Sequence, residues 1–291
     1  MSSNIAIVVD SSSGIKPNQF PDVYVIPMVV QEIDGNQTFT YKDNVDINID
    51  QVCDKLIQGK NVKTASSIPG DIVELLDDIT TKYSQVFCFP IARTVSGSYN
   101  AWVTALAAGE YKNVKLFQQP MCTAATEWIV EDLIAARSQG VLNEEYVNRY
   151  LTSHGDKFQI SALVPDVKYL HRGGRVSGFA SIVATLFKVK VVVTLTSKKL
   201  EKFGSSSNFD KAIQIVSKEV FADLLAASPT HKIKRLAILT NKECDKSFPS
   251  EKYFDAVKNQ FPNINYSVRF LPPVIVTHVG PNYVGVVVEV E

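Results

Sequence analysis

Short apolar runs alternate with amphipathic stretches through the first half of the chain, and this alternation predicts its layout. Ile5 to Val9 is a β-rich run that opens into Asp10-Ser11-Ser12-Ser13-Gly14, the pattern of a buried strand ending in a polar loop. Val23 to Val30 reads as a second strand, followed by a turn at Asp34-Gly35-Asn36 and a short strand through Phe39 and Tyr41. Ile47 to Ile57 is weakly helical, and Gly59 to Ser67 reads as a loop. Pro69 introduces a helix on which Ile72, Val73, Leu75, Leu76 and Ile79 share one face. Val86 to Ile91 predicts a central strand, and its loop, Ala92 to Ser96, leads into a helix through Tyr99, Trp102 and Leu106. Val114 to Phe117 and a helix from Ala124 to Ser138 complete a β-α series, which predicts a parallel sheet covered by helices on both faces.

Asn143 to Ser153 predicts a helix that closes this half, and the pattern changes after Gly155. Strands are expected near 158–164, 189–195, 200–203, 233–239, 266–270 and 284–290, with helices near 209–226 and 251–260. The expectation is therefore α/β in class. An N-terminal α/β domain spans residues 1–155, with a parallel sheet flanked by helices. A C-terminal α+β domain spans residues 156–291, with a largely antiparallel sheet. The length of 291 residues agrees, since a domain takes roughly 150 residues.

Composition narrows the function classes. Hydrophobic residues make up 45% of the chain and charged residues 21%, as in an ordinary folded protein. Thirty Lys+Arg balance thirty Asp+Glu, which removes the global attraction that draws most nucleic-acid binders to phosphate backbones. No nucleic-acid partner is expected. The N-terminal residues carry no basic start ahead of the Ile5 to Val9 run, so no secretory signal is expected and the location is read as cytoplasmic. No apolar run approaches the roughly 18 residues of an integral membrane segment. Four widely spaced cysteines, Cys53, Cys88, Cys122 and Cys244, read as buried thiols, and the four histidines show no paired spacing for zinc. No metal and no cofactor are expected.

Five polar loops stand at the edges of apolar elements: Asp10 to Ser13, Lys63 to Ser67, Arg93 to Ser98, His278 to Gly285, and Leu170-His171-Arg172-Gly173-Gly174-Arg175-Val176-Ser177-Gly178. Together they offer hydroxyls, backbone N–H groups, arginines and a histidine, all suited to holding an anion. The first three follow predicted parallel strands, where open α/β sheets place ligands, so the loops are expected to converge. Each has a plainer alternative: Ser11 to Ser13 and Ser96-Gly97-Ser98 as helix or turn caps, Gly173-Gly174-Arg175 as a tight turn, His278 as a structural histidine. No dinucleotide or P-loop glycine consensus is present. Ser96, His278 and Asp10 supply the residue types of a serine hydrolase, though Thr94-Val95-Ser96-Gly97-Ser98 lacks the first glycine of a nucleophile elbow.

In this order the loops resemble the DegV family, whose members include the fatty-acid-binding subunits of bacterial fatty acid kinase. The matching pieces run nearly the length of the chain: Val8-Val9-Asp10-Ser11-Ser12, Lys63-Thr64 with Pro69, Val95-Ser96-Gly97-Ser98-Tyr99-Asn100, Tyr169 to Ser177, Leu186-Phe187-Lys188-Val189-Lys190, and His278-Val279-Gly280-Pro281 with Gly285. The resemblance implies a two-domain DegV-like fold enclosing one long-chain fatty acid, its carboxylate held by hydroxyls and its tail in an apolar tunnel. It places the ligand contacts on Thr64, Ser96 and His278, with Arg175 serving either the anion end or the domain contact, and Ser12 in the first loop. It implies a non-enzymatic carrier that presents the acid to a fatty acid kinase partner. The alternative is a Ser96-dependent esterase or acyl hydrolase, and a third reading is a small-anion sensor without a tunnel. Burying about fourteen methylenes at ~0.8 kcal/mol each offers on the order of 11 kcal/mol before ordering costs, so the tail would dominate affinity.

The chain also departs from the family pattern. Ala65 stands where the family has serine, and Ala92-Arg93 where it has two serines. Arg93 either points inward to pair with the carboxylate or outward as a surface charge. Gln119-Pro120 replaces an aspartate-serine pair, and no arginine occurs near Phe203-Gly204-Ser205, where kinase-coupled members carry one.

Overall fold

The computed structural model describes residues 4–175, 189–217, 219–230, 232–240 and 250–291. The expected stretch Phe179 to Phe187, the Val176 to Gly178 end of the glycine loop, the Leu186 to Lys188 match, His231 and Cys244 lie outside the described residues.

In chain order the strands are β1 (Ile5–Asp10), β2 (Val23–Ile26), β3 (Val29–Asp34), β4 (Gln37–Lys42), β5 (Asn61–Ala65), β6 (Gln85–Phe89), β7 (Val114–Leu116), β8 (Phe158–Val164), β9 (Lys190–Leu195), β10 (Leu200–Ser206), β11 (Ile233–Thr240), β12 (Tyr266–Arg269) and β13 (Val284–Val290). The helices are α1 (Ile49–Ile57), α2 (Pro69–Ile79), α3 (Ser98–Ala108), α4 (Thr123–Ser138), α5 (Glu144–His154), α6 (Lys168–Arg172), α7 (Phe209–Ser217), α8 (Ala222–Ala227), α9 (Ser250–Lys258) and α10 (Pro273–Val279).

The expected parallel sheet is present in the order β2-β1-β6-β7. Every residue of β1 is buried, because the sheet is covered on both faces. Ala6 and Val8 pack toward α2 and α3 around Trp102, while Ile5, Ile7 and Val9 join the largest core cluster. The expected antiparallel sheet has the order β10-β9-β8-β13-β11-β12, antiparallel throughout except for the parallel β11–β12 pair. It too has two faces. Leu163, Val192, Ile238 and Val286 meet Ala212, Val216 and Val257 from α7 and α9, whereas Ile160, Ala162, Val193 and Leu239 turn to the core shared with the first half of the chain.

Several departures from the sequence reading have physical causes. Val23 to Val30 is two strands, because Pro27 interrupts it, lacking the N–H a ladder needs; β2 joins the parallel sheet and β3 a separate antiparallel sheet, β4-β3-β5. The loop expected from Gly59 to Ser67 contains β5, whose Val62 is buried while Asn61 and Lys63 are exposed. Residues 273–279, with five β-branched side chains among them, form α10, since Pro273 at the first turn favours helix and burial of Val274, Val276 and Val279 overrides propensity. The helix expected over 209–226 is divided between α7 and α8 by a 3-10 turn that tucks Phe221 into the core. Cys88 and Cys122 are buried thiols as expected; Cys53 is disulfide-bonded, since spacing along the chain does not report proximity in space. No described helix is long and apolar enough to cross a membrane.

Ion pairs tie α4 to the antiparallel sheet. Arg235 on β11 binds Glu289 on β13, donates to Asp132 at 2.7 Å, and lies 5.5 Å from the Trp128 ring centre. Arg269 on β12 donates to Glu127 at 2.9 Å. Because Glu289 is fully buried and hydrogen-bonded to both Lys234 and Arg235, this cluster fixes where the N-terminal end of α4 lies.

Asp43 is buried beside Ser11 and the start of α10, and burial pushes its carboxyl up to about 7. The Ser11 hydroxyl and the Val274 amide offset this in part, while the nearby Asp10 adds to it. Between its ordinary value of 3.8 and about 7 the folded chain keeps a proton that the unfolded chain has lost, so Asp43's contribution to stability falls as pH rises through that window and levels off above it. Urea unfolding at pH 5 and pH 8 checks this: Asp43→Asn is expected to gain on the native chain as pH rises, and a pH-independent difference would contradict it.

Candidate functional site

Four separate elements bring polar groups to one cavity. β5 pairs with β3 in a register that sets Thr64 opposite Val30, at the cavity wall. α10 supplies His278, the turn after β6 supplies Ser96 just ahead of α3, and the glycine turn after α6 supplies Arg175. The cavity and its mouth together span about 820 Å³, part of it open to solvent, and most of the wall is apolar: Met28, Ile91, Val95, Ile160, Ala162, Leu170, Val193, Leu195, Leu200, Leu239 and Leu271.

Hydrogen bonds and close packing link Thr64, His278 and Arg175, while Ser96 follows a carbonyl that Arg175 holds. Thr64 Oγ1 and His278 Nε2 are 2.7 Å apart. The other imidazole nitrogen, Nδ1, has no hydrogen-bond partner and packs on Gly173, where an added Cβ would stand 2.0 Å from it. Gly173 is therefore required by the ring that rests on it. On the far side of α10, Gly280 has φ +88° and faces the Tyr169 ring, where a Cβ would come within 2.4 Å. The Arg175 guanidinium donates to the Gly173 carbonyl and, at 3.3 Å, to the Val95 carbonyl, which is adjacent to Ser96. It has no carboxylate partner among the described residues, and burial lowers its pKa. Burial, reinforced by the Arg175 charge, holds His278 down at about 3, so the ring is neutral at physiological pH.

Asp10 organises the loops from behind. Its carboxylate caps the 3-10 turn Ser11–Ser13, accepting from the Ser12 N–H and hydroxyl, and also accepts from the Ile91 N–H at 2.7 Å and the Ser98 hydroxyl at 3.4 Å. Thus the ends of β1 and β6 and the start of α3 are pinned together, although burial raises the Asp10 pKa. Of the six residues singled out from sequence, Thr64, Ser96, His278 and Arg175 meet at the cavity. Ser12 stands apart, because its hydroxyl is committed to Asp10. Arg93 is exposed and its guanidinium lies over the Tyr99 ring at 5.0 Å, so the outward alternative is the observed one. The hydrolase constellation is not assembled: His278 Nε2 bonds Thr64, the Ser96 hydroxyl accepts from the Ser98 N–H at 3.1 Å, and Asp10 serves the loops.

A family model described as "Uncharacterised protein, DegV family" matches residues 4–291. The chain belongs to the DegV family. It is 31% identical over 212 residues to a DegV domain-containing protein of Mycoplasmopsis pulmonis, covering 72% of this chain and 71% of that one. Among solved structures, a fatty-acid-binding DegV family protein of Thermus thermophilus superimposes with a TM-score of 0.82 at 20% identity, covering 99% of this chain and all of that one. The fatty acid kinase B3 protein of Streptococcus pneumoniae, loaded with linoleic acid, gives a TM-score of 0.76 at 18% identity over 99% of this chain and all of that one. These likenesses establish the DegV fold for this chain.

The DegV cavity also draws on residues that the sequence reading did not single out. Ile160 and Ala162 on β8, and Val193 and Leu195 on β9, reach it at alternate positions of strands buried on both faces. Period-2 spacing within those runs was a signal, but a continuous apolar run hides which face meets a cavity. Cys122 and Thr123, at the start of α4, had no motif to mark them. The neutral state of His278 is directly testable by NMR of its imidazole. Its resonances are expected to stay put from pH 8 to pH 5, and a titration midpoint near the ordinary value of 6.5 would contradict the burial argument.

Proposed function

We propose that this DegV protein is a carrier that encloses one long-chain fatty acid, with the carboxylate at the Thr64–His278–Arg175–Ser96 cluster and the tail along the apolar wall formed by β8, β9 and β11. The observation that carries this reading is the segregation of the cavity: a guanidinium with no carboxylate partner among the described residues and three hydrogen-bonding side chains, two of them in direct contact, with the rest of the wall mostly apolar. A carboxylate brought there needs donors to remain ionised. With His278 protonated on Nε2, the ring donates to Thr64 Oγ1, and the Thr64 hydroxyl proton is free for the ligand; the bare Nδ1 then leaves no buried N–H unsatisfied. Arg175 supplies the counter-charge.

The named ligands of similar folds, linoleic acid among them, support the same assignment. Catalysis belongs, on this reading, to a partner: a kinase that would phosphorylate the presented carboxylate, as the fatty acid kinase B3 likeness suggests. The absence of an arginine around Phe203-Gly204-Ser205 separates this chain from kinase-coupled members at one position, so partner choice rests on the fold likeness and carriage on the cavity.

Displacement of a fluorescent fatty acid by palmitate tests the assignment. Thr64→Val and Ser96→Ala are each expected to remain folded by circular dichroism and to bind palmitate about tenfold more weakly, the loss of one hydrogen bond to a charged group. Unchanged affinity in both, or no acyl binding by the native chain, would remove the reading.

A further inference from the structure

Thr123 occupies a backbone conformation that its residue type avoids. Its φ is +54°, and the other non-glycine residues with positive φ among the described residues are Asn18, Asp22 and Asn44, whose side chains tolerate the left-handed region. For a β-branched residue this is strain, and strain persists only where the surroundings over-determine it. They do so here. Buried Gln119 donates through Nε2 to the carbonyls of Pro90 at 3.0 Å and Met121 at 2.6 Å, and its Oε1 accepts from the Met121 N–H at 2.7 Å. The Met121 carbonyl accepts in turn from the Ala92 N–H at 3.1 Å, fastening this corner to the turn that carries Ser96.

The corner delivers an unsatisfied donor to the cavity. Thr123 is 3% exposed and lines the cavity, and its hydroxyl has no partner beyond the adjacent, neutral Cys122 thiol, a weak acceptor. The same residue opens α4, a helix of 16 residues whose N-terminus has no side-chain cap and no acidic residue in its first turn. Cys122 and Thr123 line the cavity, so the positive end of the helix dipole lies at its wall.

We propose that Thr123 and the first turn of α4 form a further contact for the ligand's carboxylate, in the same cavity as the Thr64–His278 pair; this rests on the fatty-acid reading above. The strained corner is the cost of aiming a hydroxyl and a helix N-terminus at the same anion. The position then governs the choice of acid over neutral lipid, because an alcohol of the same chain length fills the tunnel without recruiting the helix dipole.

The experiment measures palmitate and 1-hexadecanol affinity, with melting temperature, for the native chain, Thr123→Gly, Thr123→Ala and Thr123→Ser. Thr123→Gly relieves the strain and removes the donor: its melting temperature is expected to equal or exceed the native value while palmitate binding weakens about tenfold and 1-hexadecanol binding changes less than twofold. Thr123→Ser is expected to restore palmitate binding to within about threefold of native. If the glycine variant fails to fold, the alanine variant, which keeps Cβ and loses the hydroxyl, gives the same comparison. Equal losses for acid and alcohol, or undiminished palmitate binding by a folded variant lacking the hydroxyl, would overturn the inference. A native chain that binds neither lipid would instead overturn the carrier reading itself.

Discussion

The charge of Arg175, which has no carboxylate partner among the described residues, is the constraint around which the rest of the site is arranged. A guanidinium cannot shed its proton to escape burial, so it must be met by carbonyls, by water or by an anion. Two carbonyls, from Gly173 and Val95, orient it without neutralising it. That same charge reinforces the neutrality of His278, which leaves the imidazole able to act as a hydrogen-bonding link to Thr64 and not as a second cation. Charge and hydrogen bonding are thus divided between neighbouring residues, and an anion satisfies both.

The fold supplies this arrangement by leaving space inside a core that crosses the two halves of the chain. Ile5, Ile7 and Val9 from the parallel sheet belong to the same cluster as Phe158, Val193 and Leu239 from the antiparallel sheet. A close-packed interior tolerates few voids larger than a water molecule, so a cavity walled by leucine, isoleucine and valine is a site for an apolar guest. The buried ion pairs around Arg235 and Glu289 hold α4 against β11 and β13, and Asp10 pins the ends of β1 and β6. Both sets of contacts keep the polar end of the cavity in place.

Much of this was legible in the sequence. Alternating apolar runs and amphipathic helices revealed the parallel sheet and the antiparallel one, and the family resemblance carried by the polar loops pointed to Thr64, Ser96, Arg175 and His278. Other features depend on partners distant in the chain. Whether Ser12 faces a ligand is decided by Asp10 taking its hydroxyl, and the direction of Arg93 by the ring of Tyr99. The helix at 273–279 contradicts the propensity of its own valines, because burial outweighs local preference there. Thr123 is the clearest case: nothing about a threonine between Cys122 and Ala124 signals φ +54°, which arises from Gln119 fastening the corner to the neighbouring strand end.

The most direct measurement is a crystal structure of the chain with 16-bromohexadecanoic acid, using anomalous scattering to locate the bromine. The bromine is expected deep along the apolar wall of β8, β9 and β11, with the carboxylate among Thr64, His278, Arg175 and Ser96. A carboxylate at any other surface, or a cavity that stays empty at saturating ligand, would contradict the central claim.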